Sequence, residues 1–217
     1  MKNDSQLRAD VIEELKWEPS VNEAEIGISV KDAVVTLSGS VDSYAQKYAA
    51  ERAVERVSGV RALAEDLHVK LPSSTERTDT DIAHAALSAL DWDIEVPAGI
   101  TLKVETGWMS LDGSVEWQYQ KTAAERAVRY LNGVKGITNR ISVKPKRVST
   151  FEVGQKIKDA LRRTAEVDAS HISVEAADGQ VTLKGKVRSW AERSDAERAA
   201  WAAPGVTRVD DRIEIGR

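Results

Sequence analysis

Apolar positions along the chain alternate between two rhythms, and the same succession of rhythms recurs three times. Leu7, Val11, Ile12 and Leu15 fall at helical spacing, with Glu13, Glu14 and Lys16 facing away. Asp4 or Ser5 is positioned to cap this helix over residues 4–17, and Pro19 prevents its continuation. Ile26, Ile28 and Val30 then alternate with Gly27 and Ser29, the pattern of a half-buried strand. A short turn at Lys31-Asp32 leads to a second strand from Val34 to Val41, so the two are expected to pair as an antiparallel hairpin. From about Ser43 to Val57 the rhythm returns to helical, with Ala50, Ala53, Val54 and Val57 on one stripe. Ser58-Gly59 ends that helix, and Val60 to Val69 reads as a last strand. The order is αββαβ.

Residues Leu71 to Thr78 form a polar linker, after which the order repeats. A helix is expected from about Asp79 to Leu90, strands at Ile100–Val104 and Met109–Val115, a helix from Trp117 to Leu131, and a strand from Ile137 to Val143. Lys144-Pro145-Lys146-Arg147 links to a third copy. That copy opens on Ser149-Thr150-Phe151-Glu152, which fits a capping box. Val153, Ile157 and Leu161 line its first helix, Ile172 and Val174 start a hairpin turned at Asp178-Gly179, and Ile213 and Ile215 finish the sheet.

Two glycines mark each copy: Gly39 and Gly59, Gly113 and Gly133, Gly185 and Gly205, always 20 residues apart. A unit repeated at this length is a domain rather than a solenoid turn. The sequence therefore predicts an α+β chain of three tandem domains over 1–71, 78–145 and 149–217. Each is a mixed three-stranded sheet covered on one face by two helices. A right-handed crossover through the second helix makes the second and third strands parallel. A glycine inside a strand marks a bulge or a close backbone approach, and at Gly39, Gly113 and Gly185 the expected visitor is the following helix.

The strand Val34-Val35-Thr36-Leu37-Ser38-Gly39-Ser40-Val41, its counterparts around Leu111-Asp112-Gly113 and Leu183-Lys184-Gly185, the repeated Ala-Glu-Arg-Ala at 50–53, 124–127 and 196–199, and the Gly-Val opening each last strand together resemble the BON domain. The resemblance spans nearly the whole chain as three copies. It implies a non-catalytic bacterial module associated with osmotic stress and with phospholipid surfaces, or a scaffold in envelope and secretion machinery. A protein-interaction or chaperone-like scaffold is thus the alternative to membrane association.

Composition narrows the function classes. The 217 residues contain no cysteine, which removes disulfides, thiolate metal sites and a cysteine nucleophile. No apolar run approaches the ~20 residues of a spanning helix. The opening Met1-Lys2-Asn3-Asp4-Ser5 passes straight into a charged helix without the apolar segment of a secretory signal. That predicts a cytoplasmic protein, peripheral where it meets a membrane, or a periplasmic one if the given N-terminus is trimmed. The net charge of −4 lies entirely in the first unit, where 9 basic residues face 13 acidic ones. A nucleic-acid binder draws its affinity from a basic excess that this chain lacks. Gly133-Val134-Lys135-Gly136 matches a nucleic-acid-clamping GxxG in letters only, because it joins a helix to a strand.

Nothing in the sequence assembles a catalytic centre. His68, His84 and His171 fall at unrelated positions of the three copies, and there is no HExxH, nucleophile elbow or Walker loop. No enzyme activity, cofactor, metal or small-molecule substrate is expected. The recurring Glu and Arg of Ala-Glu-Arg-Ala read either as solvated charges on a good helix former or as an epitope.

Tryptophan is the anomaly, with six in a chain holding one Phe. Trp201 aligns with Glu55 and Arg129, Trp190 with Tyr44 and Gln118, and Trp117 with Ser43 and Ser189, so these rings are expected to be at least half exposed. Trp17 and Trp92 occupy matching positions after the first helices. Either the rings pack between units, or they anchor in a lipid headgroup layer or a protein partner. In the third unit Lys184, Lys186 and Arg188 share one strand face, where the first unit has Ser38, Ser40 and Asp42. With Lys144, Lys146, Arg147, Lys156, Lys158, Arg162 and Arg163 nearby, this end is the candidate face for anionic lipid.

Overall fold

The computed structural model describes residues 2–145, 153–163 and 171–216. The first unit comprises α1 (Asp4–Lys16), β1 (Ile26–Lys31), β2 (Val34–Val41), α2 (Tyr44–Arg56) and β3 (Ala62–Val69). The second comprises α3 (Asp79–Trp92), β4 (Thr101–Glu105), β5 (Trp108–Asp112), β6 (Ser114–Val115), α4 (Gln118–Arg129), β7 (Gly136–Asn139) and β8 (Ser142–Val143). The third comprises α5 (Val153–Arg163), β9 (Ile172–Ala177), β10 (Gln180–Val187), α6 (Trp190–Trp201) and β11 (Arg208–Ile215). The expected capping box at 149–152 and the linker residues Lys146 and Arg147 lie outside the described residues, as do the side chains of Arg162 and Arg163.

In every unit the middle strand is antiparallel to the strand before it and parallel to the strand after the helix. The apolar residues of the helices and of the covered sheet face form one core per unit. Leu7, Val11, Leu15, Val35, Leu37, Ala53 and Val54 make the first. Ile82, Met109, Leu111, Val128 and Ile141 belong to the second, and Ile157, Leu161, Val181, Leu183 and Ile213 to the third. The alternation read from the sequence is the alternation that is buried: in β10 Val181, Leu183 and Val187 face inward.

Two local expectations change. Asn3, not Asp4 or Ser5, caps α1 by accepting from the Gln6 amide at 2.8 Å. Asp4 instead accepts the amides of Asp32 and Ala33 at 2.9 and 3.2 Å, and Asp79 does the same for Thr106 and Gly107 at 2.7 and 2.9 Å. An aspartate at the start of each of these first helices thus clamps a hairpin turn whose residues have positive φ.

The visitor at the strand glycines is also different. Gly39, Gly113 and Gly185 have φ of +114°, +143° and +143°. A Cβ at Gly39 or Gly185 would fall on the carbonyl oxygen of Glu25 or His171, and at Gly113 it would lie 3.1 Å from that of Gly99. The close approach comes from the backbone entering the first strand, not from the following helix. The later glycines Gly59, Gly133 and Gly205 hold φ of +102°, +91° and +82° just past the second helices, the left-handed stop that glycine supplies at least cost.

Candidate functional site

The second helices of the three units lie near one another, α2 touching both α4 and α6. Three repeated features govern how each begins. Ser43 and Ser189 cap α2 and α6 by accepting from Gln46 and Glu192. The side chain three residues in reaches back to the preceding strand end: Gln46 to the Asp42 amide, Gln120 to the Glu116 and Trp117 amides, Glu192 to the Arg188 amide. The first residue of the helix in units one and three then leaves its own unit. Tyr44 packs against the core of the second unit, and Trp190 against the core of the first.

The same step is used in both junctions. The Arg188 carbonyl accepts from the Gly59 amide at 3.4 Å and the Ser58 hydroxyl at 3.3 Å. At the corresponding place, Asp42, Ser43 and Tyr44 face Asn132 and Gly133 across a small cleft. The start of one second helix therefore sits on the glycine stop of the next unit, three on one and one on two. α2, α4 and α6 all line a single cavity of about 760 Å³, so the three units pack around one shared space.

Matching positions from the three copies face that cavity. Arg52, Arg126 and Arg198, the arginines of the three Ala-Glu-Arg-Ala segments, are all on its wall, and so are Tyr48, Thr122 and Ser194. Each arginine is paired within its own unit. Arg52 donates to Glu55 at 2.8 Å, Arg126 to Glu95 at 2.6 Å, and Arg198 pairs with Asp195. Trp117, Tyr119 and Trp201 complete the aromatic part of the lining. The Trp201 indole N–H donates to Glu197 at 3.2 Å.

Burial shifts two titrations on α2. The Tyr44 hydroxyl is pushed up to about 12, first by burial and then by the charge of Glu125 in the next unit. The Glu51 carboxyl is pushed up to about 8, chiefly by burial and then by its hydrogen bond to the Glu65 carboxylate. In the second unit the residue matching Glu65 is Asn139, whose amide donates to Glu125 at 3.2 Å instead of repelling it.

The residues singled out in the sequence divide accordingly. Trp117, Trp190 and Trp201 are each well under half exposed. Trp190 packs against the core of the first unit, Trp201 against the core of its own, and Trp117 lines the cavity. Trp17 and Trp92 are 80% and 89% exposed, Ile94 beside the latter is fully exposed, and Trp108 is 53% exposed.

Lys184 and Lys186 do share a face of β10 with Arg188 just beyond its end, but the neighbouring strands bring carboxylates to that face. Lys184 pairs with Glu175 at 2.9 Å, Lys186 stands beside Glu214 in the strand register, and Arg188 donates to Glu192 at 2.7 Å. The face is charge-mixed rather than uniformly basic. Among the described residues no group of three or more His, Asp or Glu side chains is disposed to hold a metal ion. No described helix is long and apolar enough to cross a membrane.

Comparison with known proteins agrees with this repeat structure. The family model of the BON domain matches residues 3–70, 78–145 and 149–217. The chain is 31% identical over 148 residues, 65% of its length and 73% of the relative's, to osmotically-inducible protein Y of Escherichia coli strain K12. Among solved structures it is similar to CdsD, a structural protein of the type III secretion system of Chlamydia trachomatis, at 14% identity and a TM-score of 0.26, covering 94% of this chain and 90% of that one. A C-terminal domain of CdsD matches at 13% identity and a TM-score of 0.28, with both chains fully covered. Scores this low add nothing on fold or function.

Proposed function

The chain belongs to the BON domain family, present as three tandem copies, and from that premise we propose a non-catalytic binding protein that associates peripherally with phospholipid membranes during osmotic or envelope stress. Similarity to an osmotically-inducible protein supports the stress context. The observation that carries the membrane reading is the exposure of Trp17, Trp92 and Ile94 at 80%, 89% and 100%.

Trp17 caps the end of α1, Trp92 is the last residue of α3, and Ile94 lies two residues beyond it, so both indoles stand at the C-terminal ends of first helices. Indole is favoured at the boundary between headgroups and acyl chains, where its ring is apolar and its N–H stays wet. Exposed apolar side chains grouped on a soluble surface mark a contact with another phase or partner. The lipid contact is assigned to these side chains rather than to Trp190, packed on the first unit's core, or Trp201, packed on the core of its own unit.

Co-sedimentation with vesicles of phosphatidylcholine and phosphatidylglycerol tests it. Protein should pellet with vesicles and its tryptophan emission should shift to the blue. Trp92→Ala combined with Ile94→Ser should weaken binding severalfold at unchanged melting temperature. Protein that stays in the supernatant at every lipid composition, with unchanged emission, overturns the membrane reading and assigns these exposed side chains to a protein partner.

A further inference from the structure

We propose that the cavity between the three second helices is a binding site for a planar organic anion, an aromatic ring bearing a phosphate or similar group, at one molecule per chain. Its volume of about 760 Å³ falls within the range of sites that enclose small molecules.

The anion preference comes from the repeated arginine. Arg52, Arg126 and Arg198 reach the cavity from three units at the same position of three helices. In each guanidinium one terminal nitrogen is held by a carboxylate of the same unit: Arg52 Nη1 by Glu55, Arg126 Nη2 by Glu95 and Asp93, Arg198 Nη2 by Asp195. The remaining nitrogens have no hydrogen-bond partner among the described residues. These pairs are 40%, 55% and 73% exposed on the arginine side, and exposed pairs of this kind are weakly held. A phosphate offers several oxygens at once, and guanidinium forks bind it in paired, charge-assisted hydrogen bonds.

The ring preference comes from residues that differ between copies. Trp117 and Trp201 stand where sister units have serine, glutamate or arginine, and Tyr119 stands where they have Ala45 and Ala191. All three substitutions place aromatic surface on this cavity. The two carboxylates in its wall do not favour a cation, because Glu95 is bound by Arg126 and Glu197 accepts the Trp201 indole. Its lining comes from all three units, so a ligand there would hold them together.

Calorimetric titration of the full chain with 1-naphthyl phosphate tests this, with 1-naphthol, inorganic phosphate and 1-naphthylmethylammonium as comparisons. The expected result is one naphthyl phosphate per chain, bound more tightly than the other three and less tightly as salt is raised. Arg126→Gln and Arg198→Gln should each weaken it about tenfold, the loss of one charge-assisted hydrogen bond. Lys103→Gln, which removes a charge outside the cavity, should change nothing. Absence of binding heat, tighter binding of the ammonium probe, or affinity unchanged in both arginine variants overturns the proposal. If a variant fails to fold, the salt dependence and probe ranking of the native chain still decide.

Discussion

The guanidinium of Arg129, in the second unit, lies 3.4 Å from the centroid of the Tyr48 ring, in the first. Arg129 is only 8% exposed and also donates to Glu125 at 3.0 Å. A cation stacked on a ring and withdrawn from water is worth about 2 kcal/mol, so this contact is a main tie between the two units. Arg129→Ala should lower stability by about 2 kcal/mol in chemical denaturation. Arg129→Lys should not restore it, because an ammonium lacks the planar face that stacks. A double-mutant cycle with Tyr48→Ala that shows no coupling would contradict this.

Trp190 and Trp92 make an internal comparison. Trp190 packs its ring against the core of the first unit and lies above Arg193, 4.9 Å from that guanidinium, whereas Trp92 stands in solvent. Trp190→Ala should cost about 3 kcal/mol, as for other large-to-small changes at packed sites. Trp92→Ala should stay within about 0.5 kcal/mol of the native chain. Equal effects would mean that Trp190 does not join the units.

Glu51 gives a pH dependence of definite sign. Its carboxyl titrates near 8 in the folded chain, because it is buried beside Glu65, against an ordinary value of 4.5. Below 4.5 both folded and unfolded forms hold the proton and this contribution is complete. Between 4.5 and 8 the unfolded chain has released the proton while the folded one retains it, so stability should fall as pH rises through that window. Melting followed over this range should show the slope in the native chain and a flatter line in Glu51→Gln. Identical profiles would remove Glu51 from the account.

Gly185→Ala tests the strand glycines. Its φ of +143° disfavours a side chain, and the new methyl would collide with the His171 carbonyl. Strain and collision together should cost about 3 kcal/mol or more. At Gly99, also at positive φ, an added Cβ meets nothing within 4 Å, so Gly99→Ala should cost only about 1 kcal/mol. The thermal melts of the two variants should differ accordingly.

The helices and hairpins were legible because periods of 3.6 and 2 recur with the glycines in fixed register. Their ends were less so: Asn3 takes the cap because Asp4 is used by the hairpin turn. The visitor at Gly39 is a backbone carbonyl, which leaves no trace in side-chain pattern. The packing of the units on one another could not be read from the repeat. Its contacts use positions that differ between copies, such as Tyr48, Arg129 and Trp190, and a position that varies between polar and aromatic reads as surface. The cavity arginines were visible as a recurrence, yet alone each is an ordinary charge on a helix.

The account rests on the three units closing into one body, and small-angle X-ray scattering of the full chain measures that most directly. A compact chain of this length has a radius of gyration of about 17 Å, and units packed around one cavity predict a value near it, unchanged by salt. A radius approaching that of three domains strung in an extended row would contradict that packing, and with it the shared cavity and the assignment of Trp190 to a junction.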